Sequence, residues 1–180
     1  MPEGPSSLLV VDDEEPIRAA LARYLTQQGY EVSTAATGEE ALAILGRQKI
    51  AGMLLDVRMP GLSGIDLVPQ ALEVEPHLAI LMLTAVTEAT TAALCMQRGA
   101  FEDLIKPIDL VDLGRALERA LRRRASQMES AQVNQWLKEE VAIRAAEVRR
   151  ERATLERVTI ATLEVLVNAL TKDLAQFEKI

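Results

Sequence analysis

The chain is predicted to be an α/β protein, an open doubly wound parallel sheet followed by a long C-terminal helical extension. Three observations predict it. Five short apolar runs alternate with helix-like stretches between residues 8 and 121, the pattern of βα units wound on both faces of a parallel sheet. All 9 Gly and all 7 Pro fall at or before Gly114, leaving 66 residues with no strong helix breaker. Acidic residues, a threonine and a lysine close the apolar runs, where such sheets gather their functional groups.

The elements follow in order. Leu8–Val11 is a continuous apolar run suited to a central strand buried on both faces. Pro16 sits where a first-turn proline starts the helix Ile17–Gln28, and Gly29 ends it. Tyr30–Ala35 is the second strand, and Thr37-Gly38-Glu39-Glu40 opens an amphipathic helix running to Leu45. Met53–Val57 is the third strand; a loop carrying Pro60, Gly61 and Gly64 leads into a helix with Leu67, Val68, Ala71 and Leu72, stopped by Pro76. Ala79–Thr84 is the fourth strand, Glu88–Arg98 a helix ended by Gly99, and Phe101–Ile105 the fifth strand. A last helix places Leu110, Leu113, Leu117 and Leu121 toward the sheet. The division between a compact domain, 1–123, and a helical extension, 124–180, is expected near residues 120–125.

Composition narrows the function. The formal charge of −7 is split unevenly: residues 1–114 carry 7 Lys/Arg against 17 Asp/Glu, and residues 115–157 carry 11 against 7. No apolar run reaches the roughly 18 to 20 residues that cross a bilayer. The start, Met1-Pro2-Glu3-Gly4-Pro5, lacks the basic and apolar regions of a signal peptide, so a cytoplasmic protein with no membrane partner is expected. The single Cys95 agrees and is expected to be a buried helical residue. The arginines after residue 114 are interleaved with glutamates at helical spacing, and no turn interrupts them. Both features argue against nucleic-acid binding.

Asp12, Asp13, Asp56, Thr84 and Lys106 are expected to meet in one crevice. Crowded carboxylates need a cation to coexist, and oxygen-only ligands with no His or Cys nearby favour a hard metal, Mg²⁺. Asp12, Asp13 and Asp56 are its candidate ligands, with the Arg58 backbone carbonyl as a neutral fourth. A carboxylate is also a nucleophile that takes up phosphoryl as an acyl phosphate. Asp56 is the best placed, since the loop after it leaves its outer side open. Lys106 would balance charge on the phosphoryl oxygens and the Thr84 hydroxyl would sense them. A cis Lys106-Pro107 bond would fold the lysine back toward the acids, but the isomer is not visible in a sequence.

These residues carry a resemblance. The pair Asp12-Asp13, the segment Leu55-Asp56-Val57-Arg58-Met59-Pro60-Gly61, Thr84-Ala85, and Gly99-Ala100 leading to Lys106-Pro107 make residues 7 to about 123 resemble a bacterial two-component response-regulator receiver domain. The resemblance implies a flavodoxin-like five-stranded sheet in the order 2-1-3-4-5. It also implies Mg²⁺-dependent phosphorylation of Asp56 by a sensor histidine kinase, a phosphotransfer protein or a small phosphodonor. Asp13, Asp56 and the Arg58 carbonyl would hold the metal, Asp12 would assist through water, and Thr84 would be the switch hydroxyl. One position departs from the family: three residues before the lysine, where receivers carry Tyr or Phe, stands Asp103. An aromatic relay there is unavailable, and Phe101 is expected to serve core packing.

The extension carries a broken heptad, Leu137, Val141, Val148, Leu155, Val158 and Val165, with Asn134 and Thr162 on the same seam and Arg144 and Glu151 interrupting it. A marginal coiled-coil homodimer is expected, because a helix of that length is not stable alone in water. Residues 158–170 resemble the helix leading into HD-type phosphohydrolase domains fused to some receivers. Those domains need several His and Asp ligands, and His77 is the only histidine, so no catalytic output domain is expected in this chain, which reads as either a truncated regulator, its extension leading to an absent output domain, or a receiver with a coiled-coil output. Two other classes compete. A dehalogenase-type aspartyl-phosphate phosphatase wants a second Asp two residues after the nucleophile, where Arg58 stands; a passive coiled-coil scaffold would leave the acidic pocket vestigial.

Overall fold

The computed structural model describes residues 6–85 and 89–177, without the side chains of residues 89, 91, 92 and 172–177. The chain divides into two compact units, Met1–Glu129 and Ser130–Ile180. Unit 1 alternates strand and helix: β1 Ser7–Val11, α1 Glu15–Gln27, β2 Glu31–Ala35, α2 Gly38–Leu45, β3 Gly52–Asp56, α3 Gly64–Val74, β4 Ala79–Ala85, α4 Ala89–Gln97, β5 Glu102–Lys106. The last helix, α5, is Leu110–Phe177; its first part belongs to unit 1 and the rest to unit 2.

All strand pairs are parallel and the order is β2-β1-β3-β4-β5, as expected. The three central strands bury every residue of Leu8–Val11, Gly52–Asp56 and Ala79–Thr84, which is why their runs are apolar throughout rather than alternating. Successive side chains point to opposite faces. Leu9, Val11, Met53, Leu55, Ile80 and Met82 therefore join α2, α3 and α4 in one core cluster. Leu8, Val10, Leu54, Leu81 and Leu83 join α1 and α5 in the other.

Helix starts follow their local chemistry. Pro16 stands in the first turn of α1. Thr37 caps α2, accepting from Glu40 N–H at 3.2 Å, while the Glu40 carboxylate accepts from Ala36 N–H at 2.8 Å. Ser63 caps α3 in the same way through Asp66 N–H.

Some expectations shift. β3 ends on Asp56 rather than Val57, and β5 runs from Glu102 to Lys106, leaving Phe101 just before it. Phe101 packs against the α1/α5 cluster under the Arg123 guanidinium, 5.0 Å from its ring centroid, so its role is core packing. Cys95 is buried on α4; the expected helix start at Glu88 lies outside the described residues. On α5, Leu113, Ala116, Leu117 and Ala120 form the buried stripe, but Leu110 is 45% exposed, a correction to its expected inward place. At the first position of the helix it supplies its carbonyl instead, to the Tyr24 hydroxyl at 2.8 Å.

In unit 2 the heptad residues Leu137, Val141, Val148, Leu155, Val158 and Val165 are all exposed. Arg144 pairs along the helix with Glu140 at 2.9 Å, and Arg152 with Glu156 at 3.0 Å. Such exposed i,i+4 pairs stabilise a helix by only about 0.3–0.5 kcal/mol each. Among the described residues no helix is long and apolar enough to cross a membrane.

Candidate functional site

The site forms where β1, β3, β4 and β5 end together. The turn after β1 carries Asp12 and Asp13, β3 closes on Asp56, and β5 closes on Lys106. Carboxylate oxygens of Asp12, Asp13 and Asp56 lie within 4.8 Å of one another. Asp12 is fully buried, Asp56 is 7% exposed, and Asp13 is open to solvent. Lys106 Nζ bridges two of the acids, 3.0 Å from Asp12 Oδ2 and 2.8 Å from Asp56 Oδ1. The Lys106-Pro107 bond is cis. Thr84 is buried at the end of β4, one residue past Leu83, the register partner of Asp56.

Each side chain is held by its backbone. Asp12 N–H donates to the Ala35 carbonyl at 3.2 Å, and Asp12 Oδ1 accepts from Glu14 N–H at 2.9 Å, which fixes one acid in the turn. Asp56 ends a strand paired on both sides, and Val57 N–H continues the ladder to Leu83 O at 3.2 Å. Gly64, the first residue of α3, packs directly on that strand end: a Cβ there would sit 2.2 Å from the Asp56 carbonyl oxygen. Arg58, two residues beyond Asp56, is exposed in the loop that follows.

The charges are unequal in what they gain. Burial raises the Asp56 carboxyl above its ordinary range; Lys106 opposes that rise by hydrogen bond and charge, and Asp12 and Asp13 add to it. Burial works against Lys106 as well, but its bonds to Asp56 and Asp12 outweigh it and lift the ammonium higher. The lysine has two anionic partners, whereas Asp56 has one cation, shared with Asp12, and is repelled by both Asp12 and Asp13. The pocket therefore carries uncompensated negative charge.

That imbalance has a measurable sign. A carboxyl raised on folding adds stability that is complete below its unfolded pKa, about 3.9, and is lost as pH climbs through the higher folded value. Ionised Asp56 is thus a burden at neutral pH when no divalent cation is present. Asp56→Asn, which keeps a hydrogen-bond acceptor for Lys106, is expected to raise the Tm at pH 7 in chelator. The gain should shrink toward pH 3, where thermal unfolding compares two neutral side chains.

The donor set fits a hard divalent cation. It is oxygen-only, has no imidazole or thiolate, and its exposed member Asp13 leaves one side accessible to water. Sequence reading placed all five residues at strand ends, and the structure brings Asp12, Asp13, Asp56 and Lys106 into contact distance. It missed the close backbone approach of Gly64, which reads in sequence as one more loop glycine. It also missed Arg18, whose Nη1 donates to the carbonyls of Asp12 at 2.6 Å and Asp13 at 3.4 Å. A single arginine on an amphipathic helix gives no signal of such contacts.

Comparison with known proteins agrees with this arrangement. The family model described as response regulator receiver domain matches residues 8–118. The transcriptional regulatory protein GlrR of Escherichia coli K12 is 35% identical over 125 residues, 69% of this chain and 28% of that protein. The DNA-binding transcriptional regulator NtrC of Salmonella typhimurium is 37% identical over 112 residues, 62% of this chain and 24% of its own length. The chain thus spans only about a quarter of the length of these relatives. Among solved structures, a receiver domain protein from Clostridium thermocellum has a TM-score of 0.64 at 35% identity, covering 68% of this chain and 98% of that one. The chemotaxis protein CheY4 of Vibrio cholerae has a TM-score of 0.62 at 33% identity, covering 65% and 99%. The chain belongs to the response regulator receiver family of two-component signalling, with its receiver domain at residues 8–118.

Proposed function

We propose that Asp56 is the phosphoacceptor of this receiver and that the pocket around it is competent for the transfer. The observation that carries the reading is the bridge from Lys106 Nζ to Asp12 and Asp56, with Asp13 within 4.8 Å of both acids. A carboxylate oxygen of Asp56 attacks the phosphorus of a donor, a sensor histidine kinase, a phosphotransfer protein or a small acyl phosphate. The donor's bond to phosphorus breaks as the acyl phosphate forms. Lys106 stands where it meets the phosphoryl oxygens, and Thr84 supplies a hydroxyl to engage them. Asp12, Asp13, Asp56 and the Arg58 carbonyl would hold Mg²⁺, which when bound neutralises charge on the transferring group. The chain takes up one phosphoryl group as a switch rather than turning substrate over. Its setting is cytoplasmic.

The output runs through α5. The exposed seam Leu137, Val141, Val148, Leu155 supports a homodimer paired along this helix, weakened where Arg144 and Glu151 occupy seam positions. Residues 158–171 carry one charged residue, Glu164, and expose Ile160, Leu163 and Val167 on a second strip, which supports a link to an output module. The Asp103 departure removes the aromatic relay and favours this route for the signal. Nucleic acid is not a proposed partner.

The reading is tested by incubating the protein with MgCl₂ and acetyl phosphate and measuring intact mass. One phosphoryl group per chain, dependent on Mg²⁺, is expected; multiple turnovers of generic phosphate esters would favour the phosphatase alternative. For the dimer, Val141→Cys is expected to form an oxidative crosslink between two chains in solution. A chain that stays uncrosslinked, with Cys95 replaced by Ser in the same variant, would exclude pairing along that seam.

A further inference from the structure

Asp13 differs from its two neighbours in what holds it. The Asp12 carboxylate is tied to Glu14 N–H and Lys106, and the Asp56 carboxylate to Lys106. The Asp13 carboxylate is exposed and has no hydrogen-bond or ion-pair partner among the described residues. Its position beside the other acids is therefore set by the backbone of the turn between β1 and α1. The group that grips that backbone from the helix side is Arg18. Arg18 is a half-buried residue one turn into α1, and its Nη1 donates to the carbonyls of both acidic residues, at 2.6 and 3.4 Å. A planar guanidinium presents several donors in a fixed fork, so it orients the peptides it binds as well as charging the site.

We propose that Arg18 is a positioning residue for divalent-cation binding: by holding the Asp12 and Asp13 carbonyls it keeps the otherwise unsupported Asp13 carboxylate in ligand position. This rests on the reading of Asp12, Asp13 and Asp56 as the Mg²⁺ site. It assigns to Arg18 the outer-shell support whose loss typically costs ten- to hundredfold in metal affinity.

The proposal predicts a sign opposite to that of simple electrostatics. Arg18 is a cation bound to the turn that carries Asp12 and Asp13, so if it acted only through its charge, neutralising it would strengthen Mg²⁺ binding. If it positions Asp13, neutralising it weakens binding. The experiment is a MgCl₂ series on the full chain, read by thermal unfolding and by calorimetric titration, for wild type, Arg18→Gln and Arg18→Lys. The expected result is a half-saturating Mg²⁺ concentration raised about tenfold in Arg18→Gln, whose amide is too short to reach the carbonyls, and partly restored in Arg18→Lys, which keeps a charged donor group on a long stem. A second expected result is weaker Mn²⁺ binding in Arg18→Gln, read from the free-ion paramagnetic resonance signal, which needs no thermal transition. Unchanged or tighter Mg²⁺ binding in Arg18→Gln overturns the proposal, even if its Tm in chelator falls, since that fall would mark a purely structural contact. Wild-type protein that binds no Mg²⁺ overturns the underlying site reading and the proposal with it.

Discussion

Lys106→Met is expected to lower the stability of the receiver unit by about 3 kcal/mol, a fall in Tm on the order of 10 °C, and to slow phosphoryl uptake on the order of hundredfold. The stability loss comes from what remains. Asp12 is fully buried and Asp56 nearly so, and both lean on one ammonium at 3.0 and 2.8 Å. Removing a partner from a buried pair leaves a desolvated charge, and here it leaves two, with Asp13 adjacent. The lysine side chain is 23% exposed, which places the effect at the lower end of the range for buried pairs. Because the ammonium is raised above its ordinary value, its contribution is complete below about pH 10.4, its unfolded pKa, and is lost only above it. The deficit should therefore be flat across neutral pH. MgCl₂ should recover part of it, because a divalent cation relieves the same repulsion. The rate loss has a separate cause, the missing charge beside the transferring phosphoryl group, and should persist at saturating Mg²⁺. Equilibrium unfolding and a phosphorylation time course separate the two.

Gly64→Ala is expected to cost 3 kcal/mol or more and to disturb the site from outside it. The added Cβ would lie 2.2 Å from the Asp56 carbonyl oxygen and 3.0 Å from Val57 Cα, both backbone atoms that no rotamer change can move. The N-terminus of α3 would have to lift from the end of β3, the strand end that carries Asp56. Overpacking a rigid contact of this kind typically costs 1–3 kcal/mol, and a backbone neighbour puts it at the top. Gly46→Ala is the matched control. That glycine closes α2 in right-handed helical backbone and its Cβ would meet nothing closer than 3.5 Å. It should be neutral or stabilising by up to about 1 kcal/mol in chemical denaturation, through the unfolded state.

The parts of this protein legible in its sequence are those fixed by local chemistry. Each central strand is buried on both faces, so it is written as an unbroken apolar run, and its polar end residue announces itself. That is why Asp12, Asp56 and Thr84 could be placed in one crevice before any contact was known; Lys106 closes the edge strand β5, which is only partly buried and carries two acids. Strand ends were legible only to within a residue: Val57 is as apolar as Leu55, yet the strand ends on Asp56. What the sequence does not encode locally is contact between distant backbones. Gly64 and Gly61 look alike in a loop, but only Gly64 lies against the Asp56 peptide, while Gly61 supplies a positive φ of 80°. Arg18 is equally silent, because its partners are carbonyls that every residue possesses. The inward face of α5 was read one turn too long, since Leu110 continues the leucine spacing but precedes the part of the helix that meets the sheet.

The central claim is that Asp56 takes the phosphoryl group. The direct measurement is reduction of the Mg²⁺- and acetyl-phosphate-treated protein with borohydride, which converts an aspartyl phosphate to homoserine, followed by peptide mapping. Homoserine at position 56, and its absence from Asp56→Asn treated in the same way, is the predicted result. Homoserine at Asp12 or Asp13 instead, or an unmodified pocket in folded protein saturated with Mg²⁺, would contradict it.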